Sequence, residues 1–148
     1  MPTQDKTPGD EAQIRKLIEQ WAHALRARDL EGVMATFTSD ALTFDLAPPL
    51  QQDTAERLKA LAAWFPGFSA ISYEIGNDLD VAVSGDVAFS HSLNRLGGKL
   101  HSGDQFAIWV RVSMGFRKVG GTWKIAHAHT SVPFYMDGSF KAATDLNP

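Results

Sequence analysis

The chain has 148 residues, 44% of them apolar and 21% charged, and a formal net charge of −3. This suits one soluble domain with its own core, and the slight acidity argues against a nucleic-acid backbone as partner, which needs a basic patch. No apolar run approaches the roughly 18 residues of a membrane span, and the absence of cysteine excludes disulfides, thiolate metal sites and a cysteine nucleophile.

Residues 1–9 carry two prolines and polar side chains and read as a flexible lead without the apolar core of a secretory signal. A cysteine-free chain of this kind is expected in the cytoplasm. Asp10 is placed to cap a helix, with Gln13 three residues on. Ile14, Leu17, Ile18, Trp21 and Leu25 then recur at helical spacing up to about Arg28. Asp29 caps a second, shorter helix carrying Leu30, Val33, Met34 and Phe37 on one side. Ala41–Asp45 alternates as a strand, with Leu42 and Phe44 on one face and Thr43 and Asp45 on the other. Pro48-Pro49 makes a stiff loop. Asp53 and Glu56 open a third helix with the stripe Leu58, Leu61, Ala62, Phe65, ended by Pro66-Gly67.

Beyond residue 70 the period changes to two. Ile71–Val83 reads as one strand bent at Gly76-Asn77-Asp78. Ser84-Gly85-Asp86 marks a hairpin, Val87–Leu96 is a strand, and Gly97-Gly98 begins a turn. Gln105–Lys118 is a long strand, and Gly120-Gly121 turns into the last one. In that last strand Trp123, Ile125, His127 and His129 fall at every second position, which places them on one face. Three helices followed by consecutive hairpins predict an α+β domain over residues 10–136: a curved antiparallel sheet covered by the helices. Residues 137–148 form a tail, either docked or disordered.

WAHALRARDLEGVMATFTSDALTFD (residues 21–45) resembles the first two helices and first strand of ketosteroid isomerases. GDVAFSHSLNR and WVRVSMGFRKVGGTWKIAHAHTSVPF are similar to SnoaL-like proteins of the nuclear-transport-factor-2-like superfamily. The resemblance implies a cone-shaped barrel with a deep apolar pocket, in a dimer packed through the sheet. It does not imply one function, because the same cone serves isomerases, dehydratases, cyclases, hydrolases and binding modules. In ketosteroid isomerases a carboxylate just past the second helix is the general base, and Asp45 matches that place. Their oxyanion hole needs a helical Tyr and a late-strand protonated acid. Here Trp21 stands where the Tyr belongs, and the acid falls near Val112 or Met114, which cannot donate.

Asp45 is the leading candidate base, since a carboxylate in an apolar pocket can shuttle a proton. Its bland alternative is to accept backbone N–H groups at the Pro48-Pro49 loop. His91 shares a strand face with Phe89, Leu93 and Arg95 and is a second catalytic candidate; otherwise it is a half-buried structural histidine. Trp109 and Arg111 share one face of the long strand, opposite Phe106, Ile108, Val110, Val112 and Met114. They line the cavity or meet a partner; parity alone does not decide. His127 and His129 form a strand His-x-His that can orient a ligand or simply hold the sheet. A zinc site would need a third ligand that no spacing supplies, so neither a metal nor a cofactor is expected. Trp21 is core or pocket lining.

Two functions follow. One is a cofactor-free isomerase, cyclase or dehydratase moving a proton on a small hydrophobic carbonyl compound. The other is a dimeric module that binds a small carboxylate or polyketide-like ligand without chemistry. No nucleic acid or membrane is an expected partner. An Asp45 exposed to water would count against the enzyme.

Overall fold

Helix α1 (Asp10–Ala27) forms because its apolar residues recur on one side; Ile14, Leu17, Ile18, Trp21, Ala22 and Leu25 are buried. The structure is a computed structural model describing residues 9–148, so the first eight residues of the expected lead lie outside the described residues. Gly9, not Asp10, is the N-cap of α1. Asp10 instead accepts from Trp123 Nε1 at 2.9 Å and Lys118 Nζ at 3.1 Å, tying the helix start to the far end of the sheet. These bonds hold its carboxyl below the usual carboxylate range, the Trp123 bond contributing most. Arg28 leaves α1 in the left-handed region (φ 53°), and Asp29 caps α2 (Leu30–Ala35) through Gly32 N–H. The two helices therefore meet at a corner.

Strand β1 (Phe37–Phe44) leads through a loop to α3 (Thr54–Trp64), capped by Asp53. The buried stripe of α3 is not the one the apolar spacing suggests. Leu58 is exposed, while Arg57 turns inward with Leu61 and Trp64 partly buried beside it. The Arg57 guanidinium donates to Ala41 O at 2.7 Å and lies 4.3 Å from the centre of the Phe37 ring, an arrangement that supports a cation in a poorly hydrated place. Burial pulls its pKa down, against the opposing charges of Asp53 and Asp45.

The remaining strands are β2 (Phe68–Glu74), β3 (Asp80–Ser84), β4 (Val87–Leu100), β5 (Gln105–Val119) and β6 (Thr122–Ser131). The sheet order is β1-β6-β5-β4-β2, with β3 also paired to β4. The α+β architecture is as expected: a curved sheet with three helices, here left open at its edges. It is mixed and not wholly antiparallel, because β1 runs parallel to β6. A helix pair precedes β1, so the chain reaches β6 from across the domain and not through a hairpin.

Two expected features of the later strands are corrected. Ile71–Val83 is not one bent strand but two, β2 and β3, both laid along the long β4. Gly97-Gly98 is not a turn; it lies within β4, and the turn comes at residues 101–104. A Cβ on Gly97 would meet Ser72 Oγ at 2.5 Å, and one on Gly98 the Phe68 ring at 2.7 Å, so close packing and not chain reversal requires glycine there. The core lies between the concave face and α1, with Ile14, Val33, Val110, Phe116 and Ile125 nearly inaccessible to water. The tail docks back on the domain: Phe134 pairs with Ala142, and Ala143 is buried.

Candidate functional site

The concave side of the sheet encloses a cavity of about 370 Å3. Its walls come from every layer: Trp21 and Leu25 of α1, Leu61 and Trp64 of α3, Ile71 and Tyr73 of β2, and Leu96, Phe106 and Ile108 of β4 and β5. Asp45, Gln52 and Thr130 add polar groups near the loop that follows β1. A second hollow of about 670 Å3 is larger but more open, and is bounded mainly by residues 44–51 together with His129. We place the site in the smaller cavity, because size there comes with apolar walls on several sides and a few polar groups.

Asp45 belongs to both hollows, at the rim between them. Its position is set from below. Thr43 and Gln52 exchange backbone hydrogen bonds at 3.0 and 2.8 Å, pinching the loop at its base. Arg57 holds Ala41 on the same strand. Asp45 itself is exposed, and its carboxylate accepts the Leu46 N–H at 2.7 Å. That is the local backbone role weighed as its alternative.

Tyr73 was not singled out from the sequence, yet it is the best-placed polar group of the cavity wall. Its side chain alternates in step with Ile71, which turns it inward from β2. It is 4% exposed, and its ring stands edge-on to Trp21 with centroids 5.0 Å apart. Asn94 Nδ2 donates to its hydroxyl oxygen at 2.9 Å. Burial pushes its pKa well above the usual phenol range; the Asn94 bond opposes this and the Asp45 charge adds to it. Tyr73 is therefore a neutral hydroxyl, a donor and not a base. One of only two tyrosines in the chain, on the inward parity of an alternating strand, was the signal that could have found it. Trp21, expected at the place of the family's Tyr, packs against this one instead.

The other sequence candidates lie outside the cavity. In β4 the inward set is Ser90, Ser92, Asn94 and Leu96, all buried, so His91 faces out. It sits 3.5 Å from Asp80, both well exposed. Val110, Val112, Met114 and Phe116 of β5 are buried, which sends Trp109 and Arg111 to the convex face. There Arg95 lies over the Trp109 ring at 5.3 Å, and Arg111 Nε donates to Ser131 Oγ at 3.1 Å.

His127 and His129 require a correction. They do not share a face with Trp123 and Ile125. The β5–β6 register runs Phe116↔Ile125 and then Gly115↔His127, leaving Ala126 unpaired in a bulge. One extra residue reverses parity. Trp123 and Ile125 point into the core, Ala128 and Thr130 continue that side, and both histidines point outward. Both stand edge-on to Phe44, and His127 Nδ1–H donates to Leu42 O at 2.7 Å. Among the described residues no three His, Cys, Asp or Glu side chains gather as a metal site.

The SnoaL-like domain matches residues 14–135. The chain belongs to the SnoaL-like family. It is similar to an NTF2-like protein of unknown function from Pseudomonas putida KT2440, with 32% identity over 96% of this chain and 100% of that one, at a TM-score of 0.82. A ketosteroid isomerase-like protein from Erwinia carotovora atroseptica shares 22% identity over 84% of this chain and 97% of that one, with a TM-score of 0.71. A proposed dehydratase of the NTF2-like family from Streptomyces avermitilis shares 18% over 82% and 95%, with a TM-score of 0.75. At these lower identities the likeness concerns the fold. No curated protein matches the sequence. No helix among the described residues is long and apolar enough to cross a membrane.

Proposed function

We propose that this SnoaL-like protein binds a small, largely apolar carbonyl compound in the interior cavity, and that Asp45 is the group able to move a proton on it. One observation carries the reading. The Tyr73 hydroxyl accepts from Asn94 and donates to no group among the described residues, on a cavity wall that is mainly aromatic and aliphatic away from Asp45, Gln52 and Thr130. A ligand carbonyl supplies the missing acceptor. Asp45 is the charged side chain on the lining, so a neutral ligand is favoured over a carboxylate.

Binding is the part that the geometry supports best. Asp45 stands in water at the rim, and a carboxylate that water reaches freely gains little as a base. Proton transfer requires a ligand that covers it. His91, Trp109, Arg111, His127 and His129 take no part; we assign their convex face, with Leu42, Phe44 and Phe89 exposed among them, to a second copy of the chain.

1-Tetralone and tetralin test the reading, since they differ in the carbonyl alone. Trp21 and Trp64 line the cavity, so intrinsic fluorescence reports occupancy. Tetralone should bind about tenfold tighter than tetralin, the worth of one good hydrogen bond. The preference should vanish in Tyr73→Phe. Asp45→Asn should keep tetralone affinity and lose deuterium exchange at the carbon beside the carbonyl. Equal affinities for the two probes would overturn the binding reading. Exchange unchanged in Asp45→Asn would overturn the proton-transfer one.

A further inference from the structure

Asn94 is 1% exposed, on the inward face of β4. Its Oδ1 receives the Gly76 N–H at 3.2 Å and the Ser92 hydroxyl at 2.7 Å. A backbone N–H can only donate, so the amide atom facing Gly76 is the oxygen, and the NH2 must face the other way. That NH2 lies 2.9 Å from the Tyr73 oxygen. An amide nitrogen can only donate too, so the phenol oxygen accepts. The phenol hydrogen must then point elsewhere, and Tyr73 borders the cavity.

We infer that Asn94 is the positioning residue of this site. Gly76 and Ser92 fix the amide; the amide fixes the Tyr73 hydroxyl as an acceptor on the sheet side; and the O–H is thereby presented to the ligand in advance. A hydroxyl free to rotate would pay for its orientation when the ligand arrives. The buried polar trio thus acts on ligand choice through Tyr73, without touching the ligand. The inference rests on the reading of Tyr73 as carbonyl donor.

Asn94→Asp is the informative substitution, because it keeps the shape and reverses the polarity. The new carboxylate still accepts from Gly76 and Ser92, and it also accepts from Tyr73, turning the O–H away from the cavity. The tetralone-over-tetralin preference should fall about tenfold, to the level of Tyr73→Phe, with tetralin affinity unchanged. Lowering the pH from about 9 to about 5 should restore it, as the carboxyl regains a proton and becomes a donor again. A merely structural role would not give that reversal.

A preference at the wild-type level across the whole pH range, with Tyr73→Phe still impaired, would overturn the role of Asn94 alone. An unimpaired Tyr73→Phe would overturn the reading beneath it. Should Asn94→Asp fail to bind even tetralin, Ser92→Ala takes its place. With one of two donors to Oδ1 gone, the preference should drop about two- to threefold, and no drop would count against the inference.

Discussion

Strand β4 carries two polar sets one residue apart. Ser92 and Asn94 face the concave side, are nearly inaccessible to water, and bond to each other, to Gly76 and to Tyr73. His91 and Arg95 face the convex side, where His91 has an exposed Asp80 at 3.5 Å and Arg95 rests over Trp109. The difference lies in what water permits. Outside, a polar group has solvent whether or not it finds a partner, so its orientation carries little information. Inside, an unmet donor or acceptor costs about 1–3 kcal/mol, so each group is held to one role. Only the inner set can therefore present a donor of fixed direction to a ligand.

The largest expected effect sets the two faces against each other in size alone. Phe116→Ala, at 2% exposed, should cost about 3–5 kcal/mol in urea unfolding. Phe89→Ala, at 58% exposed, should stay within about 0.5 kcal/mol. If the convex face does meet a second copy, Phe89→Glu should lower the sedimentation mass to that of a monomer while leaving tetralone binding intact. A dimer unmoved by it would place the contact elsewhere.

Tyr73→Phe probes the polar contrast. It leaves Asn94 Nδ2 without its partner, so stability should fall by about 1–3 kcal/mol along with the tetralone preference. On the convex face, His129→Ala and Arg111→Ala should change stability by no more than about 0.5 kcal/mol and the tetralone preference not at all. A loss of preference in either would break the division between the faces.

The smallest effect lies at Asp10. Its carboxyl titrates below the usual range because of Trp123 and then Lys118. A depressed folded-state pKa means stability that is present above the unfolded carboxylate value and is lost as pH falls through the folded one. Wild type should therefore exceed Asp10→Asn in Tm near neutrality, and the gap should close on acidification. A gap independent of pH would mean that the carboxylate charge is not what ties α1 to β6.

The helices and the alternation of the long strands were legible because periodicity reports burial directly: Ile14, Leu17 and Trp21 fall where their spacing puts them. The α+β order followed. The pairing of β1 with β6 was not legible, because nothing local records a parallel partner as distant in sequence as Phe44 is from His129. Nor was the bulge at Ala126, which is a property of two strands in register; it moved His127 and His129 from the expected wall to the outside. Which side of β5 faced inward was open for a similar reason, since Trp109 and Arg111 are substantial enough to suit either face. Asp45 was placed at the cavity by resemblance, and lies at its rim. Tyr73 and Asn94 were missed because Tyr73 sits in no motif, and Asn94, though inside the SnoaL-like segment GDVAFSHSLNR, has no partner there that marks it as functional. Their significance comes from a buried contact between β2 and β4 that only the fold creates.

A crystal structure of the complex with 1-tetralone tests the central claim most directly. The account predicts the ketone inside the cavity, between Trp21 and Trp64, with its oxygen about 2.5–3.0 Å from the Tyr73 hydroxyl and Asn94 Nδ2 still on the far side of that hydroxyl. A ketone lodged instead on the convex side against His129 and Phe44, or inside the cavity with its oxygen turned away from Tyr73, would contradict it.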